Sequence, residues 1–466
     1  MTLVLPDRDT LRRYDVAGPR YTSYPSAAHF GDTVDEAAVR ERLDALRADP
    51  AATARDLSLY VHLPFCQSLC WYCGCTTVIT RDRSQGAAYL ARLARELEVV
   101  GALAGAGPEA RRRVGQVHLG GGTPTFLAAD ELRELGRLLW TYFAPAADVE
   151  AGVEIDPRRL TLAQVEALAE AGFNRASIGV QDHDPVVQRA VNRIQTPAET
   201  ARAVAWLRGA GFASVNVDLI YGLPHQSPAT FARTLDDVLA LAPDRLAVFG
   251  YAHVPWMRPA QRLLERAALP DAEARVDLLA CAIERLTAAG YVHVGLDHFA
   301  RPEDELAVAQ RAGTLQRNFQ GYSTRGGADL LAFGMSAISF AGGLYWQNHK
   351  ALDAYAAALD AGRLPVARGY ALTADDHVRG RVIMRLMCDL RLDWPALSAE
   401  LGLDVADYLA AEIASLDDLE ADGLVARGPA GLAVTDAGRL LVRNVAMRFD
   451  PHVRAGPATP RYSRTV

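Results

Sequence analysis

Cys66, Cys70 and Cys73 stand at intervals of four and three residues, directly after the apolar run Leu59-Tyr60-Val61-His62-Leu63-Pro64-Phe65. Thiolates held that closely repel one another and stay charged only where a cation draws them into that form. An iron–sulfur cube does so, because its irons are soft acceptors. Three protein thiolates leave one iron open for a substrate or cofactor to chelate. A structural zinc site would bring a second cysteine pair, and the sequence has none elsewhere. A redox dithiol would need only Cys70-Trp71-Tyr72-Cys73 and would leave Cys66 unexplained. One residue separates Cys75 from Cys73, and strain argues against both binding one cube. Cys75 is therefore expected to be an auxiliary thiol. Cys281 and Cys388 lie alone, which is not the spread of a disulfide framework and fits a reducing compartment.

The residues that could serve such a centre must be placed by regular elements. Strand-like runs cover Leu57–Leu63, Gln116–Leu119, Ala151–Ile155, Arg175–Val180, Ser214–Ile220, Arg245–Tyr251 and His293–Leu296. Helical stretches lie between them over Gln85–Leu103, Ala128–Phe143, Leu162–Ala171, Pro197–Ala210 and Pro228–Leu241. Repeated strand, crossover helix and parallel strand give an α/β fold, with apolar strands buried on both faces. Six or so units are too few for a closed eight-stranded barrel. The expectation is a partial (βα)6 TIM-like barrel, with a doubly wound sheet as the alternative. Either places the chemistry at the carboxyl ends of the strands. Gly120-Gly121-Gly122-Thr123 falls at such an end. Alone it is a phosphate cradle or a plain turn, since it lacks the lysine of a P-loop. Glu154 closes the third strand.

Before the barrel, residues 1–55 hold an arm and a helix. Pro19 to Pro25 resists both helix and ladder, and an amphipathic helix is expected over Val34–Ala48. Residues 56–372 form the barrel with an extension. Residues 373–466 form a smaller, mostly helical domain with helices at Asp375–Leu390, Trp394–Glu400, Val405–Ala421 and Asp436–Ala446. A short strand pair, Leu424–Ala426 and Leu432–Thr435, gives it a winged-helix look. That raises the alternative of a nucleic-acid-binding sensor with a cluster as its switch. Against it, the net charge is −7, and Tyr408–Gly423 carries Glu412, Asp417, Asp418, Glu420 and Asp422 with no basic residue. Half of the 466 residues are hydrophobic, enough for a barrel-sized core. Lys350 is the sole lysine, a compositional bias toward arginine. Neither a signal peptide nor an apolar run of membrane-spanning length is legible, so a soluble, cytoplasmic protein is expected.

Cys-x3-Cys-x2-Cys after a strand is the hallmark of the radical S-adenosylmethionine (SAM) superfamily, and the chain resembles its oxygen-independent coproporphyrinogen III oxidase family along nearly its whole length. The segments that carry the likeness are Pro19–Pro25, Tyr60–Phe65 with Cys75, Gly120–Thr125, Glu154–Arg158, Gly179–Asp182, Asp218–Pro224, Asp297–Pro302 and Arg317–Tyr322. The resemblance implies a [4Fe-4S] cluster on Cys66, Cys70 and Cys73. It implies two SAM molecules, held by Tyr60, Tyr72, Gly121, Gly122, Thr123, Glu154, Gln181, Arg193, Asp218, Ala252 and Ile338. Tyr72 stands where the family often has phenylalanine, and Gly250 where a polar side chain is usual.

The implied reaction is radical decarboxylation of two propionates of coproporphyrinogen III to vinyl groups, fed by a donor such as a flavodoxin or ferredoxin, in a monomer. No side chain is singled out as catalytic by itself. The substrate carries four propionates, for which arginine forks are the matching chemistry. Arg301, Arg317 and Gln320 are the residues expected to meet it, and His298 is as readily a structural histidine. The nearest alternative is a haem-trafficking paralogue, which typically lacks the Cys75 equivalent and the Pro19–Pro25 arm. Another tetrapyrrole-modifying or methyl-transferring enzyme is a weaker one.

Overall fold

The computed structural model describes residues 4–266, 269–454 and 462–465. Its centre is the expected alternation: β1 (Leu57–Leu63), α1 (Ser84–Leu103), β2 (Arg112–Gly121), α2 (Ala129–Tyr142), β3 (Phe143–Ile155), α3 (Leu162–Glu170), β4 (Arg175–Gln181), α4 (Pro197–Gly209), β5 (Ser214–Tyr221), α5 (Pro228–Ala240), β6 (Arg245–Gly250) and α6 (Ala272–Ala288). Each strand from β1 to β6 pairs in parallel with the next. The helices begin where the sequence supplies caps. Thr196 and Ser227 each accept the N–H three residues on, and a proline follows each, its missing N–H costing the first turn nothing.

Along each strand one face packs beneath the helices, as Val117, Leu119, Val153, Val217 and Leu219 do in the main core. The other face is polar, and lines an internal cavity with Gln116, His118, Glu154, Ser177, Asn216 and Asp218. The strands are thus covered on both sides as expected, but only one side is apolar.

The sheet stays open among the described residues, a partial barrel. Beyond β1 it continues through 329–333, parallel, and then 338–341, 344–348 and 366–371, antiparallel. Beyond β6 lie 298–300 and 292–295, both antiparallel. The run at His293 is therefore a strand but not a further βα unit. No helix among the described residues is long and apolar enough to cross a membrane.

A second core joins the arm to the C-terminal region: Leu11, Tyr14, Tyr21 and Tyr24 pack with Leu386, Leu397, Val442, Val445 and Phe449. The helix 36–48, by contrast, sends Val39 and Leu43 into the main core, so the first 55 residues serve both. The wing is three-stranded, 391–393 with 431–434 and 425–428. The single helix expected over Val405–Ala421 is broken into 405–408, 410–414 and 417–421, with the Ser415 hydroxyl donating to the Glu412 carbonyl at the second break. Asp436–Ala446 begins with a tight turn at 438–441 before the helix 442–447. The tail returns to the arm: Gly18 N–H donates to the Ser463 carbonyl (3.0 Å) and Thr465 N–H to that of Val16 (2.8 Å).

Glu96 of α1 clamps the strands beyond β1 from within the core, accepting from Gly334 N–H (2.8 Å), Asn348 Nδ2 (2.6 Å) and the Tyr355 hydroxyl (2.6 Å). Burial pushes its pKa up to about 7. The folded state therefore holds a proton that the unfolded carboxyl, near pKa 4.3, has released. The stabilisation is fully present below that value and is lost as pH rises through about 7. In chemical denaturation, the stability of Glu96→Gln relative to wild type is expected to improve as pH is raised from about 5 to about 8. Parallel pH profiles would refute a buried, titrating Glu96.

Candidate active site

The cysteine loop hangs from the end of β1 by a close crossing with the glycine run. Gly122 N–H donates to the Leu63 carbonyl (2.8 Å) and Thr123 N–H to that of Phe65 (3.0 Å). A Cβ on Gly122 would lie 2.5 Å from the Pro64 carbonyl oxygen, and Gly121 has φ +114°. The glycines are therefore required by the loop that carries Cys66, whatever ligand they also meet. Cys66, Cys70, Cys73 and Cys75 all face the internal cavity, of about 410 Å³, at the carboxyl ends of the strands.

Without a cation the thiols disagree. Burial, then the neighbouring Cys73, Asp156 and Cys70, push Cys66 up to about 12. Hydrogen bonding from Cys75, whose N–H lies 3.4 Å from the Cys73 sulfur, brings Cys73 down to about 6 against its burial. Arg158 Nη2 and Arg193 Nη1 each lie 3.6 Å from the Cys70 sulfur. Asp156 stands between these guanidiniums. Burial would raise it, but Arg193 and then Arg158 hold it at about 2.

Among the described residues no three thiol, imidazole or carboxylate groups converge as on a single metal ion. The three thiols instead border one cavity, with two guanidiniums to balance anionic sulfur. That donor set fits an iron–sulfur cube, and Cys75 serves as a donor to Cys73.

Deeper in the cavity Glu154 accepts from Gly121 N–H (3.2 Å) and lies 3.3 Å from His118 Nε2. These partners hold it below the usual carboxylate range against its burial. Tyr60 stacks on His118, ring centroids 6.1 Å apart, and touches His62 Nδ1 through its hydroxyl (3.1 Å). Asp218 accepts from Ser177 and Asn216 (2.8 Å each), and burial still pushes it up to about 6. Gln181 takes a left-handed backbone (φ +70°), and its Oε1 is buried without a partner, an acceptor left for a ligand.

Of the residues expected from the sequence, Tyr72, Gly121, Gly122, Glu154, Gln181, Arg193, Asp218 and Gln320 border this cavity together with the cysteines. Tyr60 stands behind His118. The Thr123 hydroxyl is engaged by Thr125 (3.0 Å) and Asp156 N–H (3.3 Å). Ala252 borders an adjoining cavity, and Ile338 opens a strand beyond β1 and borders neither. Gly250 leaves room for the Tyr221 hydroxyl, which a Cβ there would meet at 2.9 Å.

Arg317 lies against Tyr322, 4.7 Å above its ring, and His298 borders the cavity with a buried, unpartnered Nδ1. Arg301 is elsewhere. It follows Ala300, which pairs with the first residue of β6, and it donates to the carbonyls of Pro243 (3.1 Å) and Ala242 (3.2 Å). That is the opposite end of the barrel from the cysteines, so the structure does not bring it to the other residues.

His118 went unremarked in the sequence, and Asp156 and Arg158 were noted only as part of the family-like segment Glu154–Arg158, with no role given to either. For His118 the signal was there, a polar residue alternating with Val117 and Leu119. For Asp156 and Arg158 the segment stood out but their role did not, since it depends on the loop from β3 folding back to Cys70.

Gly122→Ala is expected to displace the Cys66 loop. Iron and sulfide uptake after anaerobic reconstitution should fall at least about tenfold while the fold persists by circular dichroism, because a contact under 3.0 Å with backbone cannot relax by a rotamer change. Normal uptake would show that the crossing yields.

Comparison with known proteins agrees with this arrangement. Residues 60–238 match the radical SAM superfamily and residues 372–441 the HemN C-terminal domain. The oxygen-independent coproporphyrinogen III oxidase of Pseudomonas aeruginosa is 47% identical over 462 residues, 99% of this chain and 98% of that one. That of Escherichia coli is 45% identical over 460 residues, with 99% and 98% covered. The solved structure of coproporphyrinogen III oxidase (HemN) from Escherichia coli, described as a radical SAM enzyme, superposes with a TM-score of 0.90 at 43% identity, covering 97% of this chain and all of that one. With cysteine loop, glycine crossing and full-length likeness in agreement, the chain belongs to the oxygen-independent coproporphyrinogen III oxidase family of radical SAM enzymes.

Proposed function

We propose that this enzyme decarboxylates two propionates of coproporphyrinogen III oxidatively, giving the two vinyl groups of protoporphyrinogen IX in haem biosynthesis. The observation that carries the reading is the convergence on one cavity of the three thiols, the glycine crossing, Glu154, Gln181, Arg193 and Asp218. In this reading Cys66, Cys70 and Cys73 hold the [4Fe-4S] cluster, and the polar residues of the cavity hold S-adenosylmethionine. When bound, these groups supply an electron and a radical able to abstract hydrogen from an unactivated carbon.

The chain's own residues bind, orient and exclude. Arg158 and Arg193 hold positive charge beside the Cys70 sulfur. Glu154, fixed by Gly121 N–H and His118, presents an anionic acceptor to a ligand's ammonium or hydroxyl groups. The half-buried Gln181 and Asp218 keep polar partners ready in a space that a bound ligand closes to water. Loss of carbon dioxide from an ionised propionate needs no protein base. A small one-electron protein, flavodoxin or ferredoxin, is the proposed donor, and the enzyme is proposed to act as a cytoplasmic monomer.

The test is an anaerobic assay. Reconstituted enzyme with reductant, S-adenosylmethionine and coproporphyrinogen III is expected to give protoporphyrin fluorescence after oxidation, and Cys70→Ser to give none. Cofactor cleavage by the wild type without any protoporphyrin would leave the superfamily assignment standing and overturn the substrate.

A further inference from the structure

A second cavity, of about 310 Å³, lies where the arm, the carboxyl end of β6, α6 and the 462–465 tail meet. Arg20 and Arg443 border it, and Arg317 is fastened to the same stretch of arm. Arg317 Nε donates to the Arg20 carbonyl (3.3 Å), and Arg443 reaches the carbonyls of Gly18 (3.5 Å), Arg464 (3.2 Å) and Thr465 (2.6 Å).

The guanidiniums also stand against the wall shared with the cysteine cavity. Arg20 lies 5.6 Å from the Phe249 ring and Arg317 4.7 Å from that of Tyr322, and both rings border the cysteine cavity. Among the described residues, the carboxylate in contact with these three cations is Asp297, which Arg20 engages. Asp15, which Arg464 engages, also acts on Arg443 electrostatically. Arg317 is 5% exposed, and its Nη1 has no partner.

Burial, and then the neighbouring arginines, press Arg20 down to about 9; burial and Arg317 press Arg443 down to about 10. Arginine does not deprotonate in proteins, so beyond Asp297 the cluster keeps an excess of positive charge that a bound anion would offset. A carboxylate suits the fork geometry best.

We propose that Arg20, Arg317 and Arg443 form a carboxylate anchor that holds a propionate of the substrate other than the one reacting. The proposal rests on the tetrapyrrole reading above. Only one propionate can stand at the reacting position at a time, which leaves the others to be bound. An anchor beyond Phe249 and Tyr322 lets the macrocycle extend across the seam between the two cavities. The other carboxylate at hand is the methionyl group of S-adenosylmethionine, since Ala252, which the family resemblance gives to that cofactor, borders the same cavity; the test separates the two.

The test compares the reconstituted wild type with Arg317→Gln and Arg443→Gln, by fluorescence titration with coproporphyrin III and by equilibrium dialysis with S-adenosylmethionine. Each variant is expected to bind coproporphyrin III at least about tenfold more weakly, as loss of a charge-assisted pair implies, with cofactor affinity unchanged. Unchanged porphyrin affinity overturns the anchor, and so does a loss confined to the cofactor, which would assign the site to the methionyl carboxylate. If the variants fail to fold, the wild type decides: the tetramethyl ester of coproporphyrin III must bind at least about tenfold more weakly than the acid, and equal affinity overturns the anchor. A wild type that turns over coproporphyrinogen III while its variants bind normally refutes the anchor alone. A wild type with no turnover refutes the reading beneath it.

Discussion

The cysteine loop and the glycine run touch backbone to backbone, and most of the site follows from that contact. With Gly122 N–H on the Leu63 carbonyl and Thr123 N–H on that of Phe65, the ends of β1 and β2 are tied at a distance that admits no side chain. The tie fixes where Cys66 begins its loop. It also aims Gly121 N–H at Glu154, so that thiols and carboxylate share one cavity. From there the order of strands does the rest: β4 brings Gln181 and β5 brings Asp218, each from the cavity-facing side of its strand. Charge is arranged to match, with Arg158 and Arg193 beside the sulfur and Asp156 between them.

Much of this was legible because it is local. The cysteine spacing and the order of strand and helix are written in short stretches of sequence, whereas the polar face that alternates along β4 and β5 was read as apolar. The strands beyond β1 were not. Residues 329–333 and 344–348 are buried throughout and show no alternation, and glycine turns at 334 and 342–343 hide their boundaries. Arg301 shows the same limit in the site. An arginine in a segment that resembles the family looks like a substrate fork, yet its position after Ala300 commits it to two carbonyls at the far end of the barrel. Arg20 shows the converse, a residue in the distinctive Pro19–Pro25 arm whose role gave no sign in the sequence, brought to a cavity by contacts hundreds of positions away in the chain.

The C-terminal region acquires its meaning from that arm. Its core is completed by Leu11, Tyr14, Tyr21 and Tyr24, so the winged arrangement presents its apolar side to the arm. The acidic stretch that speaks against nucleic acid is partly engaged inside the protein, Asp417 and Glu420 by Arg427, and Asp422 by Arg13 and Tyr14. Region and arm together form one wall of the second cavity, so this part of the chain belongs to the site as much as to the scaffold.

The latch between arm and tail also sets an order of assembly. Val16 donates to the Thr465 hydroxyl across a separation of 449 residues, and Arg443 grips both ends of that latch. During synthesis the barrel units can form as each strand meets the one before it, since their contacts are with near neighbours in the chain. The wall holding Arg443 cannot close until the tail has emerged from the ribosome. A nascent chain thus gains the side of its cysteine cavity borne by β1 to β6 before its arginine cavity can close, so the cluster loop has its footing before the compartment beside it exists.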